Sequence, residues 1–396
     1  MHTSRLQNMK QIFTSFFGEQ ELSGFIAPGR IEICGNHTDH QNGHVIAAAV
    51  DLYAYAVAAK RSDYTVNIHS KGFSSISIDL RNLSIHVEEQ FTSSAFIRGI
   101  AAFFANHKIM VTGFDAYIES DIPIGSGLSS SASFCLLLAS ICNFFFANDT
   151  LAPAALANAC LYAESEYFGK PSGLMDQTIC ATGGLAKIDF ADPTNPVVTP
   201  LQFDFNAHGY ALYIVDTNSD HANLTSLYAT IPQEMGQIAT YFDKAVLRDC
   251  LVEDFLNHAL ILRERFGDRS LLRAMHFFHE QERVALLKEA FAANDVYGIL
   301  SIINASGTSS AMYLQNIYNA ACIKHQPLSL ALALSAQVLQ NQGAYRVHGG
   351  GFAGTILAIV PHSLEDIYTR TMQQVFGKDC ALPLQVSSFG AQHLNI

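Results

Sequence analysis

The distribution of apolar and polar positions divides the chain into two kinds of run. Apolar residues at helical spacing over 5–17 predict a leading helix, and the same spacing recurs over 93–107, 131–147, 152–168, most of 223–300 and 328–340. Short alternating or wholly apolar runs predict strands over 25–33 (interrupted by Pro28 and Gly29), 45–52, 75–80, 114–120, 185–190, 210–216 and 355–360. Residues 53–60 and 64–70 read as a hairpin around Arg61, Ser62 and Asp63. Residues 171–177 form a turn into a short helix closed by Gly183 and Gly184. The segment 191–206 holds Pro193, Pro196 and Pro200 and divides the chain into predicted domains over 1–205 and 206–396.

Three stretches break this pattern. Residues 29–44 are unusually polar, and they hold Arg30, Glu32, Asn36, His37, Thr38, Asp39, His40 and His44. Residues 123–133 read Pro-Ile-Gly-Ser-Gly-Leu-Ser-Ser-Ser-Ala-Ser between a strand and a helix. There Gly125 and Gly127 allow a tight turn with no Cβ between backbone and ligand. The free N–H groups of the helix that follows carry the positive end of its dipole. This is an anion site or an ordinary serine N-cap, and these residues alone leave both open. It is not a Walker loop, since the lysine is missing. The third stretch, 346–354, places three glycines, 349–351, before a strand, which suggests close backbone approach to a ligand or another segment.

Length and composition then set bounds. A chain of 396 residues is too long for one small core, and 49% hydrophobic with 15% charged residues suits a packed globular protein. A net charge of −12 with no basic stripe argues against nucleic acid, but leaves room for a phosphorylated ligand at helix ends or on Mg²⁺. Eight cysteines without a Cys-x-x-Cys pair read as reduced core residues of a cytosolic protein. Residues 1–15 lack a secretory apolar segment, and the most apolar run, 134–147, is too short to span a bilayer.

Set in order, the three stretches resemble the signature motifs of the GHMP small-molecule kinases. The first narrows the resemblance to the galactokinase family, whose pattern there is similar to Gly-Arg-x-Asn-Leu-Ile-Gly-Glu-His-Thr-Asp-Tyr. The matching run here is Gly29-Arg30-Ile31-Glu32-Ile33-Cys34-Gly35-Asn36-His37-Thr38-Asp39-His40. Residues 123–133 match without a gap, 349–354 match with Ala353 in place of a glycine, and Gly173-Leu174-Met175-Asp176-Gln177 resembles the family's Gly-Ile-Met-Asp-Gln.

The resemblance implies an α+β protein of two domains, with a ferredoxin-like C-terminal domain and the active site in the cleft between them. It implies ATP-dependent phosphorylation of the C1 hydroxyl of galactose. Asp176 would be the catalytic base or a positioning carboxylate, with Arg30 beside it. The backbone of Gly125, Ser126, Gly127, Leu128, Ser129, Ser130 and Ser131 would cradle ATP, with Gly349, Gly350 and Gly351 supplied from the far end of the chain. Ser131 and Glu164 would hold Mg²⁺, while Glu166, two positions on, points to another face as a solvated charge. Asn36, His37, Thr38, Asp39, the backbone of Gly173 and Tyr228 would bind the sugar. The expected partner is a small sugar, with no nucleic acid and no membrane, for a monomer in the cytoplasm.

The departures from the family pattern are Glu32, Asn36 and His40. A neutral Asn36 removes a negative wall from the pocket, which suggests altered tolerance near C6 of a galactose-type sugar. Galacturonate and N-acetylgalactosamine are alternative substrates, and a non-catalytic galactose and ATP sensor is an alternative function. His37, His40 and His44 with Asp39 also form a candidate zinc cluster, while His276 and His279 read as a helix-face pair. The chain has no Trp, so adenine stacking must use Phe or Tyr.

Overall fold

The computed structural model describes residues 2–123, 127–170, 173–219, 224–320 and 322–396. Two of the expected phosphate-loop residues, Gly125 and Ser126, lie outside the described residues.

The first sheet holds β1 (Ser23–Cys34), β2 (His44–Lys60), β3 (Thr65–Ser70), β4 (Ile76–Asp79), β5 (Phe114–Ser120), β6 (Leu185–Asp189), β7 (Val197–Leu201) and β12 (Gln392–Leu394), in the order β12-β1-β2-β5-β3-β4 with β6 and β7 continuing from β2. Residues 45–60 fall in one 17-residue strand instead of two. Its first part pairs with β6 and its second with β5. The expected hairpin of 53–60 with 64–70 does not form, because β5 pairs with β2 on one side and, in parallel, with β3 on the other. Gly113, just before β5, permits this insertion: a Cβ there would lie 2.1 Å from the Thr65 carbonyl. The proline-rich segment contributes β7, which among the described strands pairs with β6 alone and so tolerates Pro200 at a sheet edge.

Period-two alternation along β2 separates two cores. Ala54, Ala56 and Ala58 face the main core, and Tyr55, Val57 and Ala59 face α1 (His2–Phe17), whose Leu6, Met9 and Phe13 they cover. On the main-core side lie α2 (Ser93–Asn106), α3 (Ser130–Ala147), α4 (Pro153–Tyr162) and α5 (Met175–Thr182). Among the described residues, α3 alone is long and apolar enough to cross a membrane, and 67% of it is buried in the core.

The second sheet holds β8 (Tyr210–Asp216), β9 (Ala344–Val347), β10 (Thr355–Pro361) and β11 (Ala381–Leu384) in the antiparallel order β11-β8-β10-β9. That order is the ferredoxin-like split arrangement expected of the C-terminal part. Between β8 and β9 run α6 (Thr225–Tyr241), α7 (Val252–Asn257), α8 (Ala259–Ala293, broken at Gly267 where φ is +81°), α9 (Val296–Ser309) and α10 (Pro327–Leu339). The helix α11 (Glu365–Phe376) joins β10 to β11 and packs with α10 on one face of this sheet. The other face, through Leu212, Ile214, Leu357 and Ile359, joins the same core as the first sheet. The chain finally returns to the first sheet, where β12 pairs with Gly24–Ile26 of β1.

Candidate active site

Arg30 sits in the middle of β1 and is buried, so its guanidinium has to be met by fixed partners. Its Nε and Nη2 each donate to one oxygen of Asp176 at 2.7 Å, a bidentate pair, and its Nη1 donates to the Gly127 carbonyl. Asp176 lies in the first turn of α5, where the helix dipole favours a negative charge. It also accepts from the Ser129 hydroxyl. Burial pushes the Asp176 carboxyl up, but the Arg30 charge and the hydrogen bonds from Arg30 and Ser129 hold it below its ordinary value.

Asp39, from the first motif, comes to the same point. A Cβ on Gly173 would fall 1.7 Å from its Oδ2, so only glycine lets the fourth motif pass this carboxylate. Burial and then the charge of Asp176 raise Asp39 to about 6. Two carboxylates of unlike proton affinity therefore face one spot, and four residues from two separate motifs (Arg30 and Asp39, Gly173 and Asp176) meet there.

The other expected sugar contacts are distributed differently. His37, at a left-handed φ of +55°, donates from Nε2 to the Gly350 carbonyl at 3.0 Å. Thr38 is fully buried and its hydroxyl is spent on the carbonyls of Gly35 and His44. Asn36 is 1% exposed: its amide nitrogen donates to Glu32 and to the Gly349 carbonyl, and its oxygen accepts from Asn316 at 2.8 Å. In this structure both polar side chains expected at the sugar are taken up by protein partners, Thr38 within its own loop and Asn36 also by residues far along the chain. The expected loosening near C6 thus rests on a side chain that faces inward. Tyr228 packs its ring on Gly350 and donates to the Gly351 carbonyl at 3.1 Å.

Around Asn36 lies a buried polar layer that the motifs did not announce. Glu32 pairs with Arg346 of β9 at 2.9 Å, and both are nearly inaccessible. His276 of α8 donates to the Asn36 carbonyl at 2.8 Å and accepts from Ser309, while burial lowers it to about 4, so it is neutral. Glu280, one turn on, accepts from the Gly35 N–H and the Ser306 hydroxyl. His276 thus pairs with the loop, not with His279. The signals in the sequence were Glu32 and Asn36, both departures from the family pattern, and a His and a Glu one turn apart at 276 and 280.

In the phosphate loop, Gly127 has φ +69°, and a Cβ there would meet Thr355 Oγ1 at 2.8 Å. Leu128 is a core side chain whose carbonyl accepts from the Arg30 N–H. Ser129 takes the left-handed turn, and Ser130 and Ser131 open α3. Gly349 and Gly351 have positive φ, and a Cβ on Gly351 would strike the Asn316 carbonyl at 2.2 Å. The carbonyls of 349–351 are thereby engaged by Asn36, His37 and Tyr228.

Glu164 is buried and Glu166 exposed, as their spacing predicted. Glu164 accepts from Gln177 at 2.6 Å and pairs with Lys170 at 3.1 Å. The Gln177 Oε1 has no donor among the described residues, which leaves a spare buried acceptor next to this carboxylate. The Glu164 carboxylate and the Gln177 Oε1 are oxygen donors of the kind a hard, hydrated divalent ion takes. The histidines do not converge in the same way, since His37 is held by Gly350 and His44 pairs with Asp189 at 3.3 Å. Among the described residues no three His, Cys, Asp or Glu side chains gather as a metal site.

A mixed first sheet and a ferredoxin-like second sheet on one core, with an Arg–Asp pair at a glycine-serine turn, define a GHMP-type small-molecule kinase. The GHMP kinases N terminal domain matches residues 95–184, and the galactokinase galactose-binding signature matches residues 11–60. The chain is 30% identical over 372 residues to the galactokinase of Bacillus subtilis, covering 92% of each, and 28% identical over 368 residues to that of Streptomyces coelicolor, covering 92% of this chain and 91% of the other. It belongs to the galactokinase family. Its fold superposes on Lactococcus lactis galactokinase complexed with galactose with a TM-score of 0.83 at 24% identity, over 99% of this chain and 100% of that one. On Methanococcus jannaschii mevalonate kinase the TM-score is 0.65 at 15% identity, over 93% and 99% of the two chains.

Proposed function

We propose that this chain is a galactokinase, transferring the γ-phosphoryl group of ATP to the C1 hydroxyl of galactose to give galactose 1-phosphate and ADP. The observation that carries the reading is the meeting of Arg30, Asp39, Gly173 and Asp176 at one point. Asp39, when ionised, accepts from neighbouring sugar hydroxyls, and Gly173 leaves the room for the ring. Asp176 then holds the acceptor hydroxyl. Its lowered proton affinity makes it a weak base, which favours positioning and charge over early proton removal, as suits the loose transition state of phosphoryl transfer. Arg30 keeps Asp176 ionised and oriented, and its charge stabilises the transferring group.

Ser131 and Glu164 would hold Mg²⁺, and the first turn of α3 would face the phosphates. The ion supplies charge neutralisation between the phosphates. A cytoplasmic setting suits the eight cysteines, all of them unpaired. The test is ADP release with Mg·ATP over galactose, N-acetylgalactosamine, galacturonate, glucose and arabinose, with Asp176→Asn as control. Turnover on galactose that the variant loses supports the reading. Binding of ATP and sugar with no turnover on any member would make the chain a sensor.

A further inference from the structure

The end of α4 is unusual. Over 163–168 its hydrogen bonding widens to a π turn, Gly169 reverses the chain at φ +86°, and the Lys170 N–H donates back to the Glu164 carbonyl at 3.1 Å. This closed loop folds the Lys170 side chain over Glu164, with Nζ 3.1 Å from Oε1. The two side chains are unlike: Glu164 is 5% exposed and Lys170 54% exposed. A buried carboxylate needs a counter-charge, whereas the ammonium of a half-exposed lysine is hydrated by solvent when it moves off the carboxylate. The other Glu164 oxygen is fixed by Gln177, next to Asp176, so the carboxylate stays in place when the lysine goes.

From this geometry we infer that Lys170 is a built-in counter-cation of the phosphoryl-transfer site. It neutralises Glu164 in the metal-free protein and yields that carboxylate to Mg²⁺ when Mg·nucleotide binds. The inference rests on the kinase reading and deepens it with a residue that lies in none of the four motifs. The Lys170 charge also reaches Asp176, where it acts in the same direction as Arg30.

The experiment is calorimetric titration of ADP into the wild-type protein and Lys170→Met, once with excess Mg²⁺ and once with EDTA. Methionine keeps the stem and removes the charge. Metal-free ADP then meets an uncompensated Glu164 and binds about fivefold more weakly, while Mg·ADP binding changes by less than about twofold. Lys170→Arg restores the wild-type ratio of the two affinities, and Lys170→Gln replaces the Met variant if melting shows that Met unfolds the protein. An unchanged ratio in the uncharged variant overturns the inference and leaves Lys170 as a surface ion pair. Failure of the wild-type protein to bind ADP under either condition would instead remove the kinase reading itself.

Discussion

At the scale of single residues, the Arg30–Asp176 pair and the Asp39–Gly173 contact make separable predictions. Asp176→Asn keeps the shape and loses the charge, so kcat falls by at least about a hundredfold while sugar binding persists; a fall in binding alone would assign Asp176 to recognition. Gly173→Ala drives a methyl into the Asp39 carboxylate, and the KM for galactose rises by about tenfold or more with the melting temperature little changed. Because Asp39 titrates at about 6 and must be ionised to accept hydroxyl protons, log kcat/KM for the sugar drops with unit slope below that pH. A profile that stays flat down to about pH 5 would take Asp39 out of sugar binding. Arg30, Asp39, Gly173 and Asp176 could be singled out because the runs that hold them, 29–40 and 173–177, resemble motifs of the galactokinase family. The inward turn of Asn36 was not, since its partners Asn316 and Gly349 lie far along the chain, and the glycine run at 349–351 announces a close approach without naming what approaches.

At the scale of elements, β1 and β9 belong to different sheets and are tied by the Glu32–Arg346 pair. Arg346→Met leaves a buried carboxylate without its cation and costs about 3–5 kcal/mol, read as a lower urea midpoint at unchanged slope. Adding Glu32→Gln removes the stranded charge, and most of that loss returns. A single and a double variant of equal stability would mean that the pair is not electrostatically coupled. Most helices and strands before residue 361 were legible from periodicity, whereas α11, β11 and β12 beyond it were not singled out. The pairing of β5 between β2 and β3 was not, because alternation says which face a strand buries and nothing about which neighbour it chooses. The π turn at the end of α4 was hidden for a related reason: 152–168 keeps an apolar helical spacing right through it.

At the scale of the whole molecule, Leu212, Ile214, Leu357 and Ile359 of the second sheet share one core with the first. The protein therefore melts in one calorimetric transition, and two resolved transitions would show that the halves fold apart. The same arrangement sets a clock on synthesis. The strand β1 is made early, but β12, which closes its outer edge, and the glycine carbonyls that hold His37 come from the opposite end of the chain. At about 5–20 residues per second, a ribosome leaves that edge open for on the order of half a minute. During this interval the growing chain carries an exposed strand margin at Gly24–Ile26 and a loop around His37 that still lacks its glycine partners.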